Sequence, residues 1–173
     1  PPGGRWPTGT RPTRTCWTSA ATGMNYGQAQ SFIDEYFKLR APLLGYLDGL
    51  KQQARKDGYV ETLLGRRRPM PDIHSTNFIV RSAAERAAMN MPIQGTEADL
   101  MKLAMVAVDE KLADKVPSAH QLLQIHDSIL VECDEGDADA VAEILRETME
   151  AVYPELPISL AVDTSIGKNW GEL

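Results

Sequence analysis

The sequence predicts a fold of the α+β class, in which long helices pack beside small antiparallel sheets. Two observations predict this class. Apolar residues recur with helical spacing over residues 26–56 and again over residues 76–116. A short β-rich run at 122–131 surrounds a polar turn, which is typical of a hairpin, and a strand-like run lies at 59–63. The chain of 173 residues is long enough for one domain with a core of its own.

Composition and charge narrow the function classes. Apolar residues make up 43% and charged residues 24%, and no apolar run is long enough to cross a membrane or act as a signal peptide. Cys16 and Cys133 lack metal-binding spacing, so a cytosolic setting is expected. Residues 51–102 hold nine Lys/Arg against six Asp/Glu, whereas residues 103–173 hold four against fifteen. This asymmetry predicts a surface that binds an anionic partner on one side, although chance clustering would give the same counts.

Residues 1–22 differ from the rest of the chain. They contain six Thr, four Pro and two Trp but no Leu, Ile, Val, Phe, Asp or Glu. Neither a strand nor a helix period fits them, so we expect a disordered tail. The segment is either a natural tail or coding DNA read in the wrong frame. Residues 23–173 are expected to form the folded domain.

The first helical region is expected to form a helical hairpin. Phe32, Ile33 and Tyr36 would share one face of its first helix. Pro42 suits the start of the second helix, and Gly58 its end. A strand should follow at residues 59–63, ended by a turn.

Three consecutive arginines, Arg66, Arg67 and Arg68, come directly after Gly65 in that turn. They form a positive edge able to hold phosphate through charge-assisted hydrogen bonds. The alternative is a solubilising loop without a ligand.

Pro92 lies within the longest helical region, so two helices joined by a kink are expected there, with capping patterns beginning at Ser82 and Thr96. Arg86, Asn90 and Gln94 are spaced i, i+4, i+8 and would share a face. Their donors suit the acceptors of a nucleic-acid minor groove. A solvated helix face is the alternative.

The predicted hairpin carries Asp127 at or near its turn, between two strands expected to be buried. A rigid, exposed carboxylate there could bind Mg²⁺, which prefers oxygen ligands. On this stretch alone, ordinary turn chemistry of Asp127 and Ser128 is the favoured explanation. An acidic amphipathic helix over residues 137–153 and a final strand over 158–166 complete the predicted elements.

Four segments, in order, together resemble the C-terminal polymerase region of family A DNA polymerases, the bacterial DNA polymerase I type. They are GYVETLLGRRR at 58–68, ERAAMNMPIQGTEADLMK at 85–102, QIHD at 124–127 and GKNW at 167–170. The resemblance runs from about Met24 to the C-terminus. It implies a partial right-hand polymerase domain containing part of the fingers and the C-terminal half of the palm, with an antiparallel palm sheet made of the hairpin and the C-terminal strand.

The resemblance also implies site roles. Asp127 would bind one of two catalytic Mg²⁺ ions in nucleotidyl transfer from dNTP to the primer 3′-OH. Primer-template DNA would be contacted by Arg86, Asn90, Gln94 and His126, and its backbone would lie near Arg66, Arg67 and Arg68. The family implies a DNA-directed DNA polymerase of replication or repair, located in the cytoplasm at the bacterial nucleoid.

Two departures from the family pattern affect activity. Ser128 stands where the family commonly has Glu, and a hydroxyl does not supply that charge. No strand with the other metal-binding aspartate and no Arg-x-x-x-Lys helix is recognisable, so the missing upstream part of the polymerase would have to supply them. We therefore predict that this chain alone does not polymerise DNA. A non-catalytic nucleic-acid-binding remnant is the alternative. A His–Asp metal phosphohydrolase is disfavoured because His74 and His120 lack ligand spacing.

Overall fold

The computed structural model describes residues 23–173, so the prediction for residues 1–22 lies outside the described residues. The chain divides into two compact units, one ending at Gly49 and one comprising Leu50–Leu173. The main elements are α1 (Tyr26–Leu39), α2 (Ala41–Asp57), β1 (Tyr59–Glu61), β2 (Arg67–Pro69), α3 (Phe78–Lys115), β3 (His120–Ile125), β4 (Ser128–Glu132) and α4 (Ala138–Glu150). Short 3₁₀ turns lie at Pro71–His74, Glu135–Asp137 and Trp170–Glu172. This mixture of helices and small antiparallel sheets confirms the predicted α+β class.

The first unit is helical. Asn25 caps α1 by accepting a hydrogen bond from the Gln28 amide, and the Gln28 side chain accepts one from the Asn25 amide. Only Arg40 separates α1 from α2, and the two helices are not packed as the predicted hairpin. That prediction was wrong because one residue is too short for the usual helix–helix reversal. The predicted apolar face, including Phe32, is exposed.

The first hairpin follows α2 directly. Gly58 ends α2 with a φ of 77°, and its amide donates to the Ala54 carbonyl at 3.0 Å, as the sequence predicted for a helix stop. β1 pairs antiparallel with β2, so that Val60 opposes Arg68. Gly65 lies in the turn with a φ of 82°, a conformation that glycine adopts without a steric penalty.

Helix α3 runs without interruption for 38 residues through Pro92. The prediction of two helices was therefore wrong, and so were the two capping boxes, because Ser82 and Thr96 lie inside the helix. Its actual N-cap is Asn77, whose side chain accepts a hydrogen bond from the Ile79 amide at 3.0 Å. Pro92 is buried, and packing on both sides of it holds the helix together where one backbone bond is missing.

The second hairpin, β3–β4, has the predicted position, but the strands are not buried on both faces. A bulge near Leu122 shifts the register between Gln121 and Leu123. Ile129 and Val131 face α3 and α4, whereas Leu123 remains 46% exposed on the opposite face. The hairpin therefore has one packed face and one open face.

The final strand predicted over residues 158–166 does not form. These residues have no helix or strand, and within the described chain no strand pairs with them. The Val162 amide instead donates to the Glu150 carboxylate at 3.1 Å. Of the predicted palm sheet, only the hairpin is present among residues 23–173. Alternating apolar residues make a strand only when a neighbouring strand is available for pairing.

Two apolar clusters make up the core of the second unit, and α3 contributes to both. The first lies beneath β1–β2 and comprises Ala54, Val60, Met70, Ile73, Ala88 and Met91. The second lies beneath β3–β4 and comprises Val108, Leu112, Val116, Ala119, Val141 and Ile144. Burying each of the larger side chains contributes about 1.5–3 kcal/mol. In α4 the buried positions are Val141, Ile144 and Thr148.

No helix among residues 23–173 combines the length and the apolar content that crossing a bilayer requires.

Candidate nucleic-acid interface

The three arginines after Gly65 have three different environments. Arg66 points toward α3, where its Nε donates to Asp99 Oδ1 at 2.6 Å and its Nη2 donates to the Gly95 carbonyl at 2.9 Å. Arg67 pairs with Glu61 at 3.1 Å across the hairpin, and its guanidinium lies 4.5 Å from the centre of the Tyr59 ring. The interaction with Glu61 raises the pKa of Arg67.

The Arg68 side chain is exposed and makes no hydrogen bond or ion pair with any residue from 23 to 173. The structure therefore does not bring all three arginines to one positive edge. Arg66 serves an internal contact, and of the three arginines only Arg68 has a guanidinium without a hydrogen bond or ion pair to the described residues. A guanidinium in this state is suited to an external carboxylate or phosphate.

The contact between the first hairpin and α3 is close and polar. Asp99 is buried, and the Arg66 side chain that pairs with it is 46% exposed. The Leu63 amide donates to Thr96 Oγ1 at 2.9 Å, and Thr96 Oγ1 in turn donates to the Pro92 carbonyl at 2.5 Å. These bonds connect the hairpin turn to one turn of the helix.

Burial alone would raise the pKa of Asp99, because a buried carboxylate loses hydration. Interactions with the Thr62 hydroxyl and with the Arg66 and Lys102 charges outweigh burial, and the pKa of Asp99 lies below its ordinary value of 3.8. Asp99 is therefore ionised at neutral pH, as its pairing with Arg66 requires.

Gly95 is necessary at the point of closest approach. A Cβ atom there would lie 2.7 Å from Thr62 Cγ2 and 3.3 Å from Arg66 Nη2. Any side chain at residue 95 would push the hairpin away from the helix.

The predicted polar stripe is present on α3. Arg86, Asn90 and Gln94 are all exposed, and their spacing places them on one face of the helix. Arg86 Nη1 donates to Ser82 Oγ at 2.8 Å, which orients the guanidinium along the helix. The stripe ends one residue before Gly95, where Arg66 binds.

Asp127 lies at the tip of the second hairpin, in the two-residue turn that joins β3 to β4. His126 precedes it with a φ of 54°, which primed hairpin turns require at this position. The His126 carbonyl accepts a hydrogen bond from Gln124 Nε2, and Ser128 Oγ donates to the Ile125 carbonyl at 3.0 Å. The side chains of His126, Asp127 and Ser128 are exposed. Ser128 thus stabilises the turn and adds no charge beside Asp127.

The Asp127 carboxylate is a suitable Mg²⁺ ligand, but it is a single one. Residues 23–173 contain no group of three His, Cys, Asp or Glu side chains that could hold a metal ion. Two ions held about 3.5–4 Å apart require several carboxylates. The described residues therefore do not fit a complete two-metal site by themselves. His74 is occupied elsewhere, since its Nε2 lies 2.9 Å from the Arg55 carbonyl.

Asp99 and Gly95 were missed by the sequence analysis, which interpreted residues 96–99 as a helix cap. A signal was present. An isolated glycine inside a helical pattern usually has a packing reason. The acidic residue four positions later lies on the same helix face as that glycine, and an arginine-rich turn elsewhere in the chain is a suitable partner.

Comparisons with known proteins agree with the resemblance in the sequence. A family model for DNA polymerase family A matches residues 17–172. The thermostable DNA polymerase I of Thermus aquaticus is 46% identical over 145 residues, which cover 84% of this chain and 17% of that protein. DNA polymerase I of Mycobacterium leprae (strain TN) is 42% identical over 144 residues, covering 83% of this chain and 16% of that protein.

A solved structure is also similar. The POL domain of Pol1 from M. smegmatis, in complex with DNA primer-template and dNTP, matches with a TM-score of 0.72 and 41% sequence identity. The match covers 79% of this chain and 24% of that chain. The present chain spans only 16–17% of the length of the two polymerases named above.

Proposed function

Because this chain belongs to DNA polymerase family A, we propose that it is part of a template-directed DNA polymerase that transfers nucleotides from dNTP to a primer 3′-OH. Residues 23–173 would provide the C-terminal half of the palm and part of the fingers. The rest of the polymerase, outside this sequence, would provide the remainder of the site.

The observation that carries this proposal is the exposed stripe of Arg86, Asn90 and Gln94 beside the hairpin that carries Arg68. The stripe offers donors at one helix face, and minor grooves present mainly acceptors. Arg68 offers a guanidinium for a phosphate. In this proposal the stripe reads the shape of the primer-template near the growing end, and Arg68 contacts the backbone. The similar solved structure is in complex with primer-template DNA, which supports the proposal that this chain binds such DNA.

At the second hairpin, we propose that His126 contacts the primer-template and that Asp127 is a ligand of one catalytic Mg²⁺. The exposure of both side chains at a rigid turn supports this. The other metal ligands would come from outside the described residues. Without them the 173-residue chain should bind DNA but should not extend a primer.

DNA binding tests the interface. Fluorescence anisotropy with a labelled primer-template should show that Arg86→Ala and Gln94→Ala each weaken binding about tenfold, the effect of losing about 1.4 kcal/mol. Two matched controls lie away from the stripe. Arg146→Ala removes an exposed arginine from α4, and Gln52→Ala removes an exposed glutamine from α2; both should bind as the unchanged chain does. Equal losses in the controls would contradict the proposal.

Catalysis is tested separately by incubating the purified chain with primer-template, labelled dNTP and Mg²⁺. We expect no incorporation. Incorporation by this chain would contradict the incomplete metal site and would require other carboxylates to complete it.

A non-catalytic nucleic-acid-binding module is the second candidate, favoured by Ser128 and by the single carboxylate at the turn. The two candidates differ in their dependence on metal. A part of a polymerase should bind primer-template more tightly in buffer with Mg²⁺ than in buffer of equal ionic strength without divalent cations. Asp127→Asn should abolish this difference. A module without metal chemistry should show no such difference.

A further inference from the structure

The turn of the first hairpin is attached to α3 by contacts that all fall within one helical turn. Arg66 binds the Asp99 carboxylate and the Gly95 carbonyl, and the Leu63 amide binds Thr96 Oγ1. The helix side of this contact consists of Gly95, Thr96 and Asp99, which we call the α3 seat. The seat uses only a backbone carbonyl, a hydroxyl and a buried carboxylate, so it holds the hairpin by hydrogen bonds with defined directions.

The three neighbouring arginines differ in their ionic partners. Arg66 is neutralised by Asp99, and Arg67 is paired with Glu61. Of these three arginines, only Arg68 has a side chain without a hydrogen bond or ion pair to any residue from 23 to 173. Arg66 directly precedes β2, which begins at Arg67 and contains Arg68. A shift of Arg66 relative to α3 would therefore shift Arg68 as well.

We propose that Asp99 is a positioning residue for nucleic-acid binding, which acts through Arg66 to hold Arg68 at a set distance from the polar stripe of α3. Asp99 does not touch the nucleic acid. It fixes the hairpin so that Arg68 meets one backbone phosphate while Arg86, Asn90 and Gln94 meet the groove. This inference rests on the proposed function, because it assumes that the stripe binds nucleic acid.

Removing Asp99 distinguishes positioning from plain electrostatics, because the two predict opposite signs. Asp99→Ala deletes a negative charge and leaves Arg66 unpaired, so charge alone would tighten DNA binding and steepen its salt dependence. Positioning predicts about tenfold weaker binding at constant salt, the effect of losing one strong contact. It also predicts that the slope of log K against log[salt] falls by about 0.9, the change for one phosphate contact. Arg68→Ala should show the same fall in slope.

Two further variants separate the carboxylate's position from its charge. Asp99→Asn carries the same charge as Asp99→Ala but keeps an acceptor for Arg66, so it should recover part of the lost affinity. Asp114→Ala is the matched control, since Asp114 is an exposed aspartate on the same helix. Its binding should be unchanged or slightly tighter, as expected for the loss of one negative charge.

Gly95 provides a test that leaves the charge unchanged. Gly95→Ala places a methyl group 2.7 Å from Thr62 Cγ2 and should displace the hairpin, with about tenfold weaker binding. Thr62→Ser removes that Cγ2 atom but keeps the hydroxyl that accepts from the Arg66 amide at 3.1 Å. The double variant Gly95→Ala/Thr62→Ser should therefore bind more tightly than Gly95→Ala.

Each measurement is made by anisotropy with the labelled primer-template at several salt concentrations. Circular dichroism and hydrogen exchange of the Leu63 amide report whether each variant is folded and whether its hairpin is seated. Unchanged or tighter binding by Asp99→Ala, with an unchanged Arg68→Ala slope, would overturn the positioning role while leaving the proposed function intact. Failure of the unchanged chain to bind DNA would overturn both. If Asp99→Ala is unfolded, the comparison of Gly95→Ala with its double variant decides: no recovery in the double variant overturns the inference.

Discussion

The two hairpins of the second unit lie on the same helix but differ in what they contain. The first hairpin, β1–β2, is attached to the N-terminal half of α3 by Arg66, Asp99 and Thr96, and all its polar groups at the contact come from this chain. The second hairpin, β3–β4, packs one face on the C-terminal half of α3 and on α4. Its other face is open, and Asp127 at its tip has no charged partner among residues 23–173.

The two hairpins differ in whether this chain supplies the charged partners of their polar side chains. The carboxylates that pair with Arg66 and Arg67 of the first hairpin, Asp99 and Glu61, belong to the same chain. The hairpin that carries Arg68 is therefore held in place without a partner molecule. The Asp127 turn offers a rigid carboxylate with no further metal ligands and an adjacent apolar face that nothing in the described chain covers. The arrangement of the first hairpin is therefore set by residues of this chain, whereas a metal-dependent site at the second hairpin would need additional carboxylates.

The largest expected contrast comes from removing one charged group from each hairpin. Arg66→Ala leaves the buried Asp99 carboxylate with only Lys102, 3.9 Å away, as a cationic neighbour. We expect the free energy of unfolding to fall by about 2 kcal/mol, less than for a fully buried pair because Arg66 is half-exposed. Asp127→Ala should change it by no more than about 0.5 kcal/mol. Urea unfolding followed by circular dichroism measures both. Equal effects would show that the hairpins do not differ in this way.

The turns offer the next contrast, because both contain a residue with positive φ. Gly65→Ala forces a Cβ into a φ of 82° and should cost about 1 kcal/mol, since no other atom lies within 4 Å and the cost is in the backbone alone. His126→Gly relieves the strain at a φ of 54° but increases the conformational entropy of the unfolded chain. The two effects oppose each other, so the free energy of unfolding should change by no more than about 0.5 kcal/mol. The same urea experiment decides, and a larger loss from His126→Gly would reverse the comparison.

Acid should weaken the first hairpin selectively. The pKa of Asp99 in the folded chain lies below its ordinary value of 3.8, so its stabilisation is fully present above that value and is lost as the pH falls through the lowered pKa. The difference in Tm between the unchanged chain and Asp99→Asn should therefore be constant from pH 7 to about pH 5 and shrink below about pH 4. A difference as large at pH 2.5 as at pH 7 would mean that the Asp99 charge does not carry the effect.

The smallest effect is expected on the open face of the second hairpin. Leu123→Thr replaces a leucine that is already 46% exposed, and it should lower the free energy of unfolding by less than about 0.5 kcal/mol. Val60→Thr in β1 buries a hydroxyl in the core without changing the side chain's size, and it should cost about 1–3 kcal/mol. Similar losses for the two variants would indicate that the open face is packed in solution.

Much of the fold followed from local signals in the sequence. Gly58 and Gly65 marked a helix end and a turn because few other residues adopt a positive φ. The three polar residues His126, Asp127 and Ser128, which lie between two aliphatic runs, correctly predicted a hairpin. The amide stripe followed from spacing alone, because residues four apart share a helix face. The roles proposed for Asp127 and for the stripe remain predictions.

Other features depended on neighbours that are distant in sequence. Pro92 normally interrupts a helix, yet packing around it keeps α3 continuous. Residues 158–166 alternate as a strand should, yet form none without a partner strand. Thr96 and Asp99 matched a capping box, but they bind Leu63 and Arg66 from 33 residues away.

The sequence by itself determined the fold class, the helix and turn boundaries that depend on glycine, and the likeness to DNA polymerase family A, because these depend on short-range spacing and on ordered motifs. Only the tertiary structure decided which of three adjacent arginines are paired with a carboxylate and which side chain keeps no partner among the described residues. Adjacent residues of one type are equivalent in a sequence. They become different when the fold places Asp99 beside Arg66 and Glu61 beside Arg67, and leaves Arg68 exposed.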